Sequence, residues 1–414
     1  MNRNIAILFW CAALFSVARA QKVNLEIYAS RFDSIPIGVV DFKSKSPAAI
    51  AENEPWKVIA NDFDLCGRFH VIAKKAFDSA AFAAEGASIY VDGEYVLEGE
   101  AVSFTCYVYD VATRGQLFSK VYTGDRKSLR SCAHKFTNEI YDLLYGEKGI
   151  FESRVLFVRN EGANKNIAIM DFDGGNQRQI TKGKILNLFP AFVDASTMLW
   201  TSYLRGKPDI YTGSISDGKP NVVAASRGIQ VSPAFSTIDN TVVYASSKNG
   251  SLDIYTSNLD GSNVRQITAG GCVETAPCWS PSGYQIAFTS DKSGNPQIYV
   301  MDADGANQRR LTYKSRYSDS PSWSPKGDKI AFASMKPETG KLDIWTVAPD
   351  GSNETQVTTM PGHNEYPTWS PDGSLIGFIN RSGGKSDFYI MKPDGSRIKR
   401  ITSGGDVQMP DWGN

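Results

Sequence analysis

The amino-acid sequence predicts a mainly β protein in which a C-terminal six-bladed β-propeller is preceded by a smaller α/β domain. Three observations support this: a repeat fills the second part of the chain, its first and last copies are incomplete, and the repeat is absent before residue 149. They predict an export signal at 1–20, the α/β domain at 21–149 and the propeller at 150–414.

The repeat is clearest in the segments Pro277-Cys-Trp-Ser-Pro, Pro321-Ser-Trp-Ser-Pro and Pro367-Thr-Trp-Ser-Pro. Weaker copies begin at Pro190 and Pro233, and successive prolines are 43 to 46 residues apart. This is the period of one four-stranded propeller blade. Because the predicted strands are short and half apolar, they protect one another only when the blades stack radially around a channel.

The two ends of the repeat region complete each other. The first copy, from Arg154 to Thr181, has the last three strands of a blade but lacks the proline-aromatic strand. Pro410-Asp-Trp412 is that strand with nothing after it. If both ends share one blade, the ring has six blades and the C-terminal strand closes it.

Two recurring features of the repeat indicate architecture. Asp302-Ala-Asp-Gly305 begins like a calcium loop, but the later ligands are missing and Asp-Gly pairs recur at this place in other blades, which favours a hairpin turn. A tryptophan also recurs at one position of the blade, which favours packing between blades over a ligand-binding box. These tryptophans are Trp279, Trp323, Trp369 and Trp412.

The segment before the propeller mixes strand-like and helical patterns. Buried strands are predicted at 35–42 and 69–72 around a helix at 48–63, followed by a three-stranded meander over 90–122. A last helix is predicted to be capped by Asp125 and to end at Gly146. Its apolar face is predicted from Leu129, Cys132, Phe136, Ile140 and Leu143.

The N-terminus has the pattern of a cleavable Sec-type signal peptide. Arg3 precedes an apolar run from Ile5 to Val17 of about 13 residues, and Ala18-Arg19-Ala20 offers a cleavage site before Gln21. The run is shorter than the roughly 20 residues that a membrane-spanning helix needs, although an uncleaved anchor is the alternative. The sequence therefore predicts export to the periplasm.

Composition and motifs argue against several functions. Lys+Arg and Asp+Glu are both 44, so no basic excess favours nucleic acid. Similar propellers cover hydrolase domains in peptidases, but the sequence has no Gly-x-Ser-x-Gly elbow, and its histidines are His70, His134 and His363. We predict no catalytic residue, cofactor or metal. A propeller that binds a sugar or small ligand in its channel remains an alternative.

The five cysteines after the predicted signal do not form a recognisable framework. Their number is odd, and their spacing fits no zinc motif, so we assign them no chemistry. Cys272 and Cys278 could pair in an oxidising compartment; buried thiols are the alternative. The cysteines are Cys66, Cys106, Cys132, Cys272 and Cys278.

The signal, Pro36-Ile-Gly-Val-Val40, the meander and helix, and the repeats together resemble the TolB family over essentially the whole mature chain. The resemblance implies a periplasmic adaptor of the Tol-Pal system that links the lipoprotein Pal to the inner-membrane protein TolA. It implies a role in outer-membrane constriction during cell division and in envelope integrity. It places Pal at one propeller mouth and TolA on the segment from Gln21 to about Asp33, at positions such as Gln21, Val23, Leu25 and Ile27.

Repeat geometry gives the candidate residues at the mouth. Connections from the outer strand of one blade to the inner strand of the next converge on one face of a propeller. We predict a Pal-binding patch there, formed by residues just before the repeated prolines and by neighbouring aromatic and cationic groups. The candidates are Asn187, Gln230, Glu274, Arg316, Tyr317, Asp319, His363, Glu365, Tyr366 and Gln408.

Overall fold

The computed structural model describes residues 34–46 and 54–414. The predicted signal peptide and the predicted TolA-binding residues Gln21, Val23, Leu25 and Ile27 lie outside the described residues. Within the described part of the chain, no helix is both long and apolar enough to cross a membrane.

The α/β domain is a mixed sheet with helices on both faces. Its strands run in the order β3-β1-β4-β5-β6, with β2 paired to β4; β1 is parallel to β3 and β4, whereas β4, β5 and β6 form an antiparallel meander. The bounds are β1 Ile35–Val40, β2 Lys43–Ser44, β3 Phe69–Lys74, β4 Ile89–Glu98, β5 Ala101–Asp110, β6 Gln116–Asp125, α1 Pro55–Cys66, α2 Ser79–Ala84 and α3 Leu129–Tyr145.

The core of this domain lies where α1 and α3 meet the sheet. Ile37, Ile59, Phe63, Phe104 and Phe136 are all at most 1% exposed and belong to one cluster, which continues into the first propeller blade. Burial of these large side chains is the main source of the domain's stability, at about 25 cal/mol per Å² of apolar surface removed from water.

Three predictions for this domain need correction. Ser128, not Asp125, is the N-cap residue of α3; the Asp125 carboxylate instead accepts a hydrogen bond from the Ser128 backbone N–H at 2.8 Å, one turn earlier. Leu143 is 46% exposed and so lies off the buried face of α3. Helix α1 runs to Cys66, beyond the predicted end at 63, before Gly67 adopts a left-handed conformation.

The propeller consists of six four-stranded sheets, as predicted. Blade 1 combines the C-terminal strand with the first repeat, in the order β30-β7-β8-β9, so the chain closes its ring as the incomplete repeats indicate. Its strands are β30 Val407–Gly413, β7 Arg154–Glu161, β8 Asn164–Asp171 and β9 Arg178–Gln179.

The other five blades follow in chain order, each with its inner strand first. Blade 2 contains β10 Asn187–Phe192, β11 Thr197–Ser202, β12 Asp209–Ser214 and β13 Asn221–Ala224. Blade 3 contains β14 Gln230–Ser236, β15 Thr241–Ser246, β16 Asp253–Asn258 and β17 Arg265–Gln266. Blade 4 contains β18 Glu274–Trp279, β19 Gln285–Ser290, β20 Gln297–Asp302 and β21 Arg309–Arg310. Blade 5 contains β22 Ser318–Trp323, β23 Ile330–Met335, β24 Leu342–Val347 and β25 Thr355–Gln356, and blade 6 contains β26 His363–Trp369, β27 Ile376–Ser382, β28 Lys385–Met391 and β29 Lys399–Arg400.

The repeated residues have the structural roles that the repeat indicates. Trp369 and Trp412 are 5% and 6% exposed, and Trp279 and Trp323 pack against apolar clusters that join neighbouring blades. The threonine after the outer strand accepts a hydrogen bond from a backbone N–H of the third strand, as in Thr312 Oγ1 to Ile298 N at 3.0 Å, and equivalent bonds occur in four other blades. These contacts link the outer edge of each blade to its middle.

Each inner strand also contains an irregularity that the repeat does not reveal. The residue immediately before the repeated proline has a positive φ, and the register of the inner strand shifts there. A left-handed conformation is unusual for residues other than glycine, so its recurrence marks a shared β-bulge. The six residues are Phe189, Ser232, Ala276, Ser320, Tyr366 and Met409, with φ between 46° and 56°.

Candidate partner-binding site at the propeller mouth

The two faces of the propeller are distinguished by their connections. Turns that join the first and second or the third and fourth strands of a blade lie on one face; the remaining turns and the blade-to-blade connections lie on the opposite face. The α/β domain contacts the first of these faces, where Asp64 forms an ion pair with Lys399 of blade 6 and Arg130 with Asp173 of blade 1. The predicted patch therefore lies on the face away from the α/β domain.

Three of the predicted residues are buried. Asn187, Gln230 and Glu274 are at most 5% exposed. The Trp200 indole N–H donates to Asn187 Oδ1 at 3.2 Å, the Gln230 amide donates to Ser226 Oγ at 3.1 Å, and Ser290 Oγ donates to Glu274 Oε1 at 3.4 Å. In this conformation the three side chains support the rim and are not available to a partner.

The other predicted residues are partly or fully accessible around the mouth. Arg316 is exposed, and Tyr317, Asp319, His363, Glu365, Tyr366 and Gln408 are partly exposed. The first six lie in blades 5 and 6 or in the connection that leads into blade 5, and Gln408 lies in blade 1, so the accessible members concentrate on one side of the mouth.

Hydrogen bonds hold several of these side chains in place. Tyr317 Oη donates to Asp319 Oδ2 at 3.0 Å, while Thr289 Oγ1 of blade 4 donates to Asp319 Oδ1 at 2.8 Å. Arg381 donates to Glu365 Oε1 through Nε at 2.8 Å. These carboxylates are therefore oriented before any partner arrives, which lowers the entropy cost of binding.

The two tyrosines of the mouth stay protonated over the physiological range. Burial, followed by the charges of Glu365 and Asp319, raises the pKa of Tyr366 to about 12. Burial and the nearby Asp319 carboxylate raise the pKa of Tyr317 well above its usual range. The mouth thus presents phenol donors beside carboxylate acceptors and an arginine, a mixture that suits protein recognition.

Some residues of the mouth are absent from the predicted set. Arg381 and Lys165 hold Glu365 and Gln408, respectively, the latter through a 2.9 Å bond from Lys165 Nζ to Gln408 Oε1. Arg381 lies in β27, the second strand of blade 6, and Lys165 lies in β8, the third strand of blade 1. The predicted residues were taken only from the segments around the repeated prolines. The turn between the second and third strands of a blade reaches the same face, and that topology could have identified them.

The channel neck encloses a cavity of about 170 Å³ lined by the repeated prolines. This volume is below the roughly 300–1,000 Å³ typical of small-molecule sites. Asp411 is the one carboxylate in the lining that the structure describes; burial raises its pKa to about 6, partly offset by the hydrogen bond that the Phe192 N–H donates to Oδ2 at 2.7 Å. The geometry gives little support to a sugar site here.

A buried ion cluster joins the α/β domain to blade 1. His134 Nδ1 lies 2.8 Å from Asp62 Oδ2, and His134 Nε2 lies 3.6 Å from Asp171 Oδ2. Arg130 pairs with both Asp171 and Asp173. The cluster connects α1, α3 and the turn after β8.

This cluster contains the residues that could hold a metal, namely Asp62, His134 and Asp173. Burial opposes a charge on His134, but the Asp62 carboxylate and then the Asp171 carboxylate, 3.6 Å from Nε2, outweigh it and raise its pKa to about 10. A protonated imidazole cannot ligate a metal, and Arg130 already forms ion pairs with both Asp171 and Asp173. The arrangement is that of an interdomain ion cluster.

The described cysteines are all free thiols, including Cys272 and Cys278. Burial raises the pKa of Cys66 and of Cys278 to about 12, so these two thiols are protonated at neutral pH. The environment favours packing over nucleophilic chemistry.

The fold and mouth define a β-propeller protein with an α/β domain on one face and an open mouth on the other. The model of the TolB amino-terminal domain matches residues 23–117, and that of the TolB β-propeller domain matches residues 141–414. The chain therefore belongs to the TolB family, as the sequence resemblance predicted.

Individual relatives agree with this assignment. The Tol-Pal system proteins TolB of Rickettsia bellii and Rickettsia peacockii are 32% identical over 249 residues and 31% identical over 252 residues, respectively. Each alignment covers 56% of this chain and 56% of the relative, so the match spans little more than half the length of either protein.

Solved structures show the same fold over most of the chain. The crystal structure of TolB from Acinetobacter baumannii has a TM-score of 0.77 at 24% identity and covers 92% of this chain and 96% of that one. A putative TolB from Agrobacterium tumefaciens has a TM-score of 0.52 at 21% identity, covering 62% of this chain and 91% of that one. At these identities the likeness concerns the fold.

Proposed function

We propose that this protein is a periplasmic adaptor of the Tol-Pal system that binds the lipoprotein Pal at the propeller mouth and TolA through residues 21–33. This role would support outer-membrane invagination during cell division and envelope integrity. Membership of the TolB family supports a place in the system. The open mouth, lined on one side by accessible aromatic, carboxylate and arginine groups, is the observation that supports a protein partner there.

We further propose that the protein works by binding and not by catalysis. Each histidine is engaged in a contact of structural type: His70 with Glu85 on the surface, His134 in the ion cluster, and His363 Nδ1 with the Leu342 N–H at 3.4 Å. We also propose that the chain divides into a signal peptide at 1–20, an α/β domain at 21–149 and a propeller at 150–414.

Within the mouth, the accessible candidates are proposed to contact Pal and the buried ones to support them. Tyrosine and arginine dominate the binding energy of many protein interfaces because they combine apolar area with hydrogen-bonding groups. Arg316 and Tyr317 are therefore the strongest candidates, with His363 on the adjoining blade.

Replacement of Arg316, Tyr317 and His363 together by alanine is expected to weaken Pal binding by at least about 1.4 kcal/mol, roughly tenfold. Calorimetric titration with purified Pal measures the loss. The melting temperature should barely change, because none of the three side chains is fully buried.

The matched control is Tyr284→Ala, which removes a tyrosine that is 77% exposed in the β18–β19 turn on the opposite face. This variant should bind Pal as the unmodified protein does. Unchanged Pal affinity in the folded triple variant would place the binding site away from this side of the mouth.

A further inference from the structure

A second cavity, of about 580 Å³, lies between the α/β domain and the propeller. The α/β domain contributes Ser34, Gly67 and Arg68 to its wall, and the propeller contributes turns of blades 5 and 6 that carry Lys326 and Lys392. We name this cavity the interdomain cleft. It lies on the face opposite the mouth, so it is separate from the proposed Pal site.

The interdomain cleft is rich in positive charge. Arg68, Lys326, Lys329 and Lys392 line it, against one lining carboxylate, that of Asp394. The structure shows no ion pair between the three lysines and any carboxylate of the described residues. The charge of Lys392 helps to lower the pKa of the nearby Asp394 carboxylate, so the charge of Lys392 is partly compensated.

Arg68 is held in position at the edge of the cleft. Its guanidinium pairs with Glu147 at 2.7 Å and lies 4.9 and 5.4 Å from the ring centroids of Tyr145 and Tyr141. These contacts fix the Arg68 side chain before a ligand binds, which lowers the entropy cost of binding. The N–H groups that do not contact Glu147 stay available for an oxyanion.

Two local features offset part of the positive charge. Helices α1 and α3 end at Cys66 and Tyr145, which line the cleft, and a helix C-terminus carries about half a negative charge. Asp394 is ionised, since hydrogen bonds from Ser396 lower its pKa, and one of its oxygens already accepts the Ser396 N–H at 2.8 Å. Because Glu147 pairs with Arg68 and Asp394 lies near Lys392, the excess positive charge of the cleft comes mainly from Lys326 and Lys329.

We propose that the interdomain cleft binds a small polyanion, a molecule with two or more phosphate or carboxylate groups. Its volume lies within the range of small-molecule sites. Because cations come from both domains, the ligand bridges them. The proposal concerns a site apart from the adaptor role and does not depend on it.

Calorimetric titration with inorganic pyrophosphate, and separately with citrate, at low ionic strength tests this proposal. The unmodified protein is expected to bind at least one of the two. In the triple variant Lys326→Ala, Lys329→Ala, Lys392→Ala, affinity should fall at least about tenfold.

The matched control replaces Lys182, Lys248 and Lys341 by alanine. These exposed lysines lie on the mouth face, and the change in net charge is the same. The control should retain affinity within about twofold. Both triple variants should keep the melting temperature of the ligand-free protein.

Three results would overturn the proposal. The first is the absence of binding of either anion to the unmodified protein, and the second is an equal loss in both triple variants, which would indicate non-specific attraction. The third is binding only to a chain that starts at Ser34, because Ser34 lines the cleft and the preceding segment would then be its occupant. Pal titration of the variant Lys326→Ala, Lys329→Ala, Lys392→Ala, which leaves the mouth unchanged, separates failure of this proposal from failure of the proposed function.

Discussion

Deletion of Pro410 to Asn414 is expected to lower the melting temperature by roughly 10 °C or more, because it opens the propeller ring. The inner strand of blade 1 is β30, and its partner β7 comes from the other end of the propeller sequence. Without residues 411–413, the part of β7 from Arg154 to Leu156 loses its partner, and blades 2 and 6 lose the contacts that they make with this end of β30.

Trp412 makes the largest single contribution within this strand. It is 6% exposed, belongs to the cluster that joins the α/β domain to the propeller, and its indole N–H donates to Ser153 Oγ at 2.8 Å. Its backbone N–H donates to Thr368 Oγ1 of blade 6 at 3.0 Å. Trp412→Ala alone is expected to cost about 3–5 kcal/mol of unfolding free energy.

Removal of Asn414 alone is the control, because this residue is exposed and lies beyond the end of β30. Thermal unfolding followed by calorimetry or circular dichroism compares the variants. If the chain without residues 410–414 melts like the unmodified protein, the closure of the ring is wrong.

His134→Ala is expected to destabilise the protein by about 3–5 kcal/mol, since it leaves the Asp62 carboxylate buried without its cation. His134 is 2% exposed and Asp62 is fully buried. The double variant His134→Gln, Asp62→Asn replaces both charges by neutral hydrogen-bonding groups and should recover part of this loss. Denaturant unfolding measures each free energy.

The contribution of His134 should depend on pH. Its pKa in the folded protein, about 10, exceeds the ordinary value of 6.5, so its stabilisation is complete below about 6.5 and is lost as pH rises through 10. Burial raises the pKa of Asp62 to about 6, so this carboxylate stays ionised above neutral pH. The stability difference between the unmodified protein and His134→Ala should therefore shrink from pH 7 to pH 10.

His70→Ala is the control for this series, because His70 pairs with Glu85 on the surface, with 55% of its side chain exposed. Exposed pairs of this kind contribute at most about 1 kcal/mol. A loss in His134→Ala no greater than that in His70→Ala would contradict the role of the cluster.

The architecture of the propeller could be predicted because it depends on a repeated pattern. The spacing of the prolines predicts the length of a blade, and the incomplete last copy of the repeat, Pro410-Asp-Trp412, predicts how the ring closes. The meander of the α/β domain was likewise visible in alternating apolar residues. Helix α2, a short Ala-rich turn of six residues, lacked a comparable periodic signal.

The mouth was only partly predictable. Alignment on the prolines groups Asn187 and Gln230 with the other mouth residues, but it could not show that these two side chains are buried. The bulge in each inner strand contains a residue with a left-handed backbone, such as Phe189 or Tyr366. Aromatic residues rarely adopt this conformation, so the sequence does not predict it.

The ion cluster and the interdomain cleft could not be predicted from local patterns. Asp62, His134 and Asp171 are far apart in the sequence and meet only when the α/β domain docks on blade 1. Similarly, Arg68 and Lys326 are far apart in the sequence and share no motif, so nothing in the sequence indicates that they line the same cavity. Both features arise from the packing of two domains.

The adaptor role is tested most directly by comparing TolA and Pal binding to a chain that starts at Gln21 and to a chain that lacks residues 21–33. The two partners are proposed to use separate places, the N-terminal segment and the propeller mouth. The truncated chain should lose TolA binding in a calorimetric titration and still bind Pal, with at most a change in strength. Equal TolA binding by both chains would contradict the proposed role of the segment.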